Sequence, residues 1–383
     1  MRIMTILLFI AILWSCNTIN PPSENKILEE AEETEQGVAS LLSRIQLPEG
    51  FQIELFAEGV ENARSMTLSS SGTLYVGTRD AGKVYAIEDT NKDFKADKIT
   101  VLAEGLEMPN GVALLNGHLY VAEYNRIIKF PNIDVNLTQP KYEVVTDKYP
   151  SKKHHGWKYI AFGPDDKLYV PVGAPCNICE SDEEIFNTIT RINPDGSNLE
   201  IVQEGIRNTV GFDWHPETGE LWFTDNGRDW LGDDKPECEL NRAPKEGMHF
   251  GYPYCHQGDI EDPKVGPGKG CNSYTPPVAK LGPHTAPLGI EFYEGDQFPA
   301  NYKNQAFIAR HGSWNRSTKI GYDLVLANTD VSDAFIETFA SGWLDKEADE
   351  AWGRPVDVEM LADGSVLVSD DFANVIYRIS YKR

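Results

Sequence analysis

The chain predicts an all-β protein, a six-bladed β-propeller, and three features carry the prediction. A short apolar strand, a turn built on Asp, Gly or Asn, and a second strand rich in Leu, Tyr and Val recur six times. The copies are spaced by roughly 45 to 60 residues with one longer gap, the period of four-stranded sheets arranged radially. Gly and Pro punctuate these runs, and sustained helical periodicity is confined to the start of the 383 residues, as an all-β disc requires.

In chain order, Arg2 precedes an apolar run from Ile3 to Trp14, then Ser15 and Cys16. This is a secretory signal over residues 1–16, too short to remain as a membrane span. The run ending in Leu13-Trp14-Ser15-Cys16 resembles a bacterial lipoprotein signal in which Cys16 is lipidated; an ordinary signal peptide cut near Ser15 is the alternative. Residues 17–45 are polar and acidic and read as a solvated tether. Residues 46–383 are assigned to the propeller as one domain, since repeat architectures run long as a single unit.

The six copies are Met66 to Thr78, Gly111 to Glu123, Tyr159 to Gly173, Gly211 to Gly227, Gly289 to Gly312 and Val356 to Asp371. Equivalent positions in every blade face one axis, so the residue before each first strand is expected at one mouth of the channel. Those positions or their near neighbours hold Arg64, Asn110, His155, Arg207 with Asn208, His284 and Arg354. The net charge is -24, so their convergence makes a positive well in a negative body, suited to an anionic ligand. No nucleic-acid partner is expected.

Five cysteines follow Cys16, and in an exported chain pairing is the default. Cys255 and Cys271 bracket a Gly-, Pro- and Lys-rich excursion and are the expected bridge. Cys176-Asn177-Ile178-Cys179 admits a tight disulfide, a metal half-site or a redox pair; no second CxxC completes a zinc site, and a structural disulfide is preferred.

Lys153-His154-His155-Gly156-Trp157 opens the third repeat, and histidine is the side chain best suited to take a proton near neutral pH. Arg207 and Asn208 stand one repeat later and offer donors to a developing oxyanion. The stretch Thr224 to Asp234, then Glu237 and Glu239, gathers carboxylates, an Asn and turn carbonyls. These are oxygen ligands for a hard cation such as calcium, or an acidic solvated loop.

From Leu47 to the C-terminus the chain resembles the soluble pyrroloquinoline quinone (PQQ)-dependent sugar dehydrogenases, above all the sorbosone and aldose dehydrogenase branch. The resemblance rests on HHGWKYIAFGPDDKLYVPVGAPCN, IRNTVGFDWHPETGELWFTDNGRDWLGDD, GPHTAPLGIEFY, ARHGSWNRS and WGRPVDVEMLADGSVLVSDD, in that order. It implies His155 as the base that takes the sugar hydroxyl proton while a hydride passes to the quinone. Arg207 would polarise the quinone carbonyl, with Asn208 beside it and Asn110 a further pocket residue. Gly227 and Arg228 would offer backbone carbonyls to calcium, and Arg354 would pair with a cofactor carboxylate.

Relatives carry a Thr near His284 and a Lys near His311, so His284, Arg310, His311 and Arg316 are this chain's own candidates there. Glu239, in Cys238-Glu239-Leu240-Asn241, is the remaining carboxylate for a second, structural calcium. The implied protein oxidises a sugar or sugar aldehyde on the periplasmic side of a bacterial membrane and passes electrons to a separate cytochrome or quinone. A metal-dependent lactonase-type propeller and a non-catalytic binding propeller are the rival readings. The first would need acidic and amide side chains around the axis, where this ring is basic; the second predicts that His155, Arg207 and Arg354 sit apart or are paired to structural carboxylates.

Overall fold

The computed structural model describes residues 37–329 and 335–382; the signal sequence with its lipidation at Cys16, and most of the tether, lie outside the described residues. Among the described residues no helix is long and apolar enough to cross a membrane. Six antiparallel sheets follow one another along the chain, as the repeats predict. Each of the six sequence copies supplies the first two strands of one blade.

Blade 1 comprises Ala63–Leu68, Leu74–Thr78, Val84–Glu88 and Lys98–Ala103, and blade 2 runs from Gly111–Leu115 to Glu143–Thr146. Blade 3 begins at Ala161–Phe162, blade 4 at Phe212–Trp214 and blade 5 at Pro287–Phe292. Blade 6 begins at Pro355–Met360 and ends with Val375–Tyr381, against which the N-terminal strand Phe51–Glu58 pairs antiparallel. The two ends of the chain thus share one sheet and close the circle, which leaves no open edge between the last blade and the first.

The longer gap between copies is an insertion in blade 4, between Glu237–Ala243 and Ala279–Pro283. It adds Met248–His249 in parallel to blade 3 and forms a small hairpin from Cys255–His256 and Ile260–Glu261. Cys255 is bridged to Cys271 across this excursion and Cys176 to Cys179, as expected, while Cys238 is free and buried.

The core lies between blades. Tyr75, Val84 and Ala86 of blade 1 pack on Val112, Leu119 and Val121 of blade 2, and corresponding clusters join each later pair around the ring. The second strands are therefore covered on both faces: Leu74–Thr78 and Leu168–Val172 are buried throughout. This is why they read as continuous apolar runs without polar alternation. Nearer the axis the first strands pack too closely for side chains at some points. A Cβ on Gly211 would collide with the Leu288 carbonyl of blade 5, and one on Gly289 with Asp357 of blade 6.

Candidate active site

Each blade opens with an antiparallel hairpin, so the start of its first strand and the end of its second lie at the same end of the axis. Ala63 pairs with Thr78, Gly111 with Ala122, Pro287 with Arg310 and Pro355 with Asp370. Residues at or near these ends converge on a cavity of about 420 Å³, within the range of about 300–1,000 Å³ usual for small-molecule sites. Arg64, His155, Arg207, Asn208, His284, His311, Arg354 and Gly227 all line it. These positions run from 64 to 354 in the sequence, and only the radial symmetry brings them together.

His155 sits at the wall with its backbone in the left-handed region, φ 50°. Such a conformation is uncommon for a residue with a side chain and is seen where surrounding structure imposes it. Gly173 makes it possible, because a Cβ there would press on the His155 Cβ at 2.7 Å. The His155 Nδ1–H donates to the Ala174 carbonyl at 2.9 Å, which leaves Nε2 as the nitrogen with a free lone pair. Burial, then the neighbouring Arg207 and His154 charges, hold its pKa well below the ordinary 6.5. The imidazole is neutral at pH 7, the form in which it accepts a proton.

Arg207 and Asn208 are set by one carboxylate: Asp225 accepts from the Arg207 N–H at 2.9 Å and from the Asn208 N–H at 2.6 Å. The guanidinium then donates to the Asn177 carbonyl (3.0 Å), the Asn177 Oδ1 (2.8 Å), the Asn226 carbonyl (3.1 Å) and Asp229 (3.2 Å). Asn177, in the loop closed by Cys176–Cys179, also accepts from the Asp229 N–H at 2.9 Å. Across the cavity Arg64 pairs with Asp371 at 2.9 Å, and His311 bonds the same carboxylate at 2.7 Å. Against the opposing effect of burial, His311 and Arg64 hold Asp371 low, while burial brings His311 down to about 4. Arg354 lies over the Tyr322 ring at 5.8 Å and has no ion-pair partner among the described residues.

Five expected site residues lie elsewhere. Asn110 is fully buried behind the wall, where its Oδ1 accepts from the Arg64 Nε at 2.8 Å; it holds a cavity residue and does not line the cavity. Arg310 points to the opposite face of its strand from His311, as one step along a strand requires, and forms a two-bond pair with Asp323. The Arg228 side chain turns away to pair with buried Asp262, leaving its backbone as the part available to a cation. Glu239 is buried and accepts from the Gln257 N–H at 2.6 Å and the Asn241 side chain at 3.0 Å, away from the cavity. Arg316 donates to Asp234 on the neighbouring loop.

The cavity also holds Arg79, which sequence reasoning missed, and Asn226 and Asp229, which it had read only as oxygen ligands within the Thr224 to Asp234 stretch. Arg79 and Asn226 follow the last residue of a second strand, as His311 does. The signal was available: hairpin geometry places strand-two exits beside strand-one entries, and the blade argument used the entries alone, His311 having come from the resemblance. Asn177 carried no signal at all, because the turn that brings it to Arg207 is not periodic.

A propeller with a cationic cavity at one mouth of its axis, four arginines and a neutral histidine among its walls, is thereby defined. The chain belongs to the family described as a domain of unknown function (DUF7133), which it matches over residues 38–379. It is 33% identical over 361 residues to an uncharacterised protein of Borreliella burgdorferi, covering 90% of this chain and 92% of that one. A pyrroloquinoline quinone-dependent pyranose dehydrogenase of Coprinopsis cinerea is 22% identical over 74% of this chain, which spans 44% of that protein's length. The same fold occurs in the holo PQQ domain of a Coprinopsis cinerea pyranose dehydrogenase (TM-score 0.73, 17% identity, 88% of this chain and 97% of that one). It occurs also in the PQQ-bound aldose sugar dehydrogenase of Streptomyces coelicolor (TM-score 0.63, 20% identity, 88% and 100%).

Proposed function

We propose that this propeller is a PQQ- and calcium-dependent dehydrogenase that oxidises an aldose or sugar aldehyde, with His155 as the general base. The observation that carries the reading is the convergence of His155, Arg64, Arg207 and Arg354 on one cavity, with Arg354 left without an anionic partner among the described residues. PQQ is a planar tricarboxylate, and the donor set fits it: guanidinium groups pair with carboxylates through two-bond forks. Gly227 lines the same cavity, and its carbonyl with that of Arg228 is the hard oxygen type that calcium takes. The PQQ-bound and calcium structures of propellers with this fold support the same assignment. The basic ring is a poor set of ligands for the side-chain-held dication of a lactonase.

When bound, PQQ supplies the two-electron acceptor that the side chains lack, and calcium a Lewis acid. The chain's own part is to bind, orient and move one proton. His155 Nε2 takes the proton of the substrate hydroxyl, its ring fixed by the bond from Nδ1–H to Ala174. Arg207, held by Asn177 and Asp229, presents positive charge beside that base, favouring oxyanion character near it. Arg64 and Arg354 fix the anionic end of the ligand. Electrons would leave to a separate cytochrome or quinone. The two disulfides suit an oxidising compartment, in line with export to the periplasmic side; anchoring through Cys16 is a further part of the proposal and rests on the signal sequence alone.

The test is to load the purified protein with PQQ and calcium and follow dye reduction against a panel of aldoses and sugar aldehydes. Turnover by wild type is expected, with a loss of at least about a hundredfold in His155→Ala from missing base catalysis while PQQ binding persists. The wild-type acid limb should fall below pH 6.5, because the folded pKa of His155 is lowered. No turnover by loaded wild type across the panel overturns the reading.

A further inference from the structure

Trp230 and Trp314 are 67% and 65% exposed, an unusual state for the residue with most apolar surface to hide. Their rings meet edge to face, centroids 5.7 Å apart at 85°, so a ring face of each is left for a ligand. Trp314 lines the rim of the cavity. Trp230 belongs to the neighbouring blade 4 loop and is held at φ 68°, a backbone state that bulky residues avoid unless structure imposes it.

What imposes it is visible on both sides of that loop. From the cavity wall His284 Nε2–H donates to the Gly232 carbonyl at 2.8 Å. From the blade 5 loop the Ser317 N–H donates to Asp233 at 3.1 Å and Arg316 Nη1 to Asp234 at 3.0 Å. The two indoles are therefore carried on loops stapled to each other and to the cavity wall. Flexibility does not account for their exposure.

We propose that Trp230 and Trp314 form an outer carbohydrate subsite, which stacks a sugar unit beyond the one presented to His155 and makes oligosaccharides better ligands than monosaccharides. A pyranose has an apolar C–H face, attracted to the electron-rich face of an indole, and a rim of hydroxyls that need polar partners. Asp233, Asp234 and Arg316 supply such partners beside the rings. A patch of two rings set among charges suits this amphipathic ligand better than a protein surface, which would need a broad apolar centre. The substrate class rests on the dehydrogenase reading, and the test separates the two.

The protein with no cofactor added is titrated with glucose, cellobiose and cellotriose, following tryptophan emission and binding heat. Cellobiose is expected to bind about fivefold to tenfold more tightly than glucose, the worth of one aromatic stacking contact. That preference should fall to about twofold or less in Trp230→Ala and Trp314→Ala and largely survive in Trp230→Phe. In the loaded enzyme the ratio of kcat/KM for cellobiose over glucose should fall in the same variants. Equal binding of the sugars, or a preference untouched by both alanine variants, overturns the subsite. A tryptophan-dependent preference without turnover of any sugar upholds the subsite and removes the dehydrogenase reading.

Discussion

Along the inner strands of the propeller, charge of one sign gives way to charge of the other. Arg354 stands at the cavity just before the strand Pro355–Met360, and Asp357 and Glu359 lie on that strand, roughly 10 to 16 Å further in at a strand's usual rise. Asp213 of blade 4 and Glu291 of blade 5 approach the same place, and all four carboxylates act on the Tyr159 hydroxyl. The two bands are answered differently. Asp357 accepts from the Met66 N–H of blade 1 at 2.8 Å, Glu359 from the Leu68 N–H at 3.1 Å, and Asp213 from the Phe292 N–H of blade 5 at 2.8 Å. These carboxylates join one blade to another and belong to the architecture, whereas the cations at the mouth face an open cavity.

Arg64 tests where that boundary falls, because it is a cavity cation with architectural partners, Asp371 and Asn110. Arg64→Ala strands Asp371 with His311 alone, and removing one partner of a buried pair costs about 3 kcal/mol or more. A matching shift in the urea midpoint at unchanged slope is expected. A loss under about 1 kcal/mol would move Arg64 out of the architecture and among the ligand-binding cations.

The acidic band predicts a pH dependence. Burial raises Asp357 to about 7, and burial with the nearby Asp357 charge raises Glu359 to about 8, so both folded values exceed the unfolded ones. Their contribution is complete below about pH 4, falls as pH rises above that because only the unfolded chain has ionised, and is gone once pH has passed 7 and 8 and the buried groups ionise too. Between pH 6.5 and 8.5 stability should fall by about 2 kcal/mol. The fall should flatten in the Asp357→Asn, Glu359→Gln double variant, whose amides keep an acceptor for Met66 and Leu68. An equal slope in wild type and variant would show that these groups are already ionised and that the contrast between the bands is not one of protonation.

The architecture was legible because it is periodic. Six copies of one hairpin predict six blades, and the residue before each copy predicts the mouth, where His155, Arg207, His284 and Arg354 were found. What failed did so for local reasons. Arg310 lies one residue from His311, and the pleat sends the two side chains to opposite faces; the strand must be assigned to the residue before either can be placed. Asn110 has the right position and lies behind Arg64, since register fixes direction without fixing depth. Closure of blade 6 by Phe51–Glu58 was also hidden, because pairing over more than three hundred residues leaves no trace in a repeat.

Arg354 gives the smallest effect and the sharpest contrast with Arg64. Its Nε–H makes a long bond of 3.4 Å to the His311 carbonyl and its guanidinium lies over the Tyr322 ring, with no carboxylate paired to it among the described residues. Arg354→Ala therefore leaves no carboxylate stranded, and stability should change by under about 1 kcal/mol. PQQ affinity, by equilibrium titration in calcium, should weaken about tenfold, the worth of one charge-assisted bond. Arg354→Lys should recover part of that loss, because it keeps the charge and gives up the fork. If instead Arg354→Ala destabilises the fold as Arg64→Ala does and binds PQQ as wild type does, the mouth cations are architecture too, and the division between the two bands disappears.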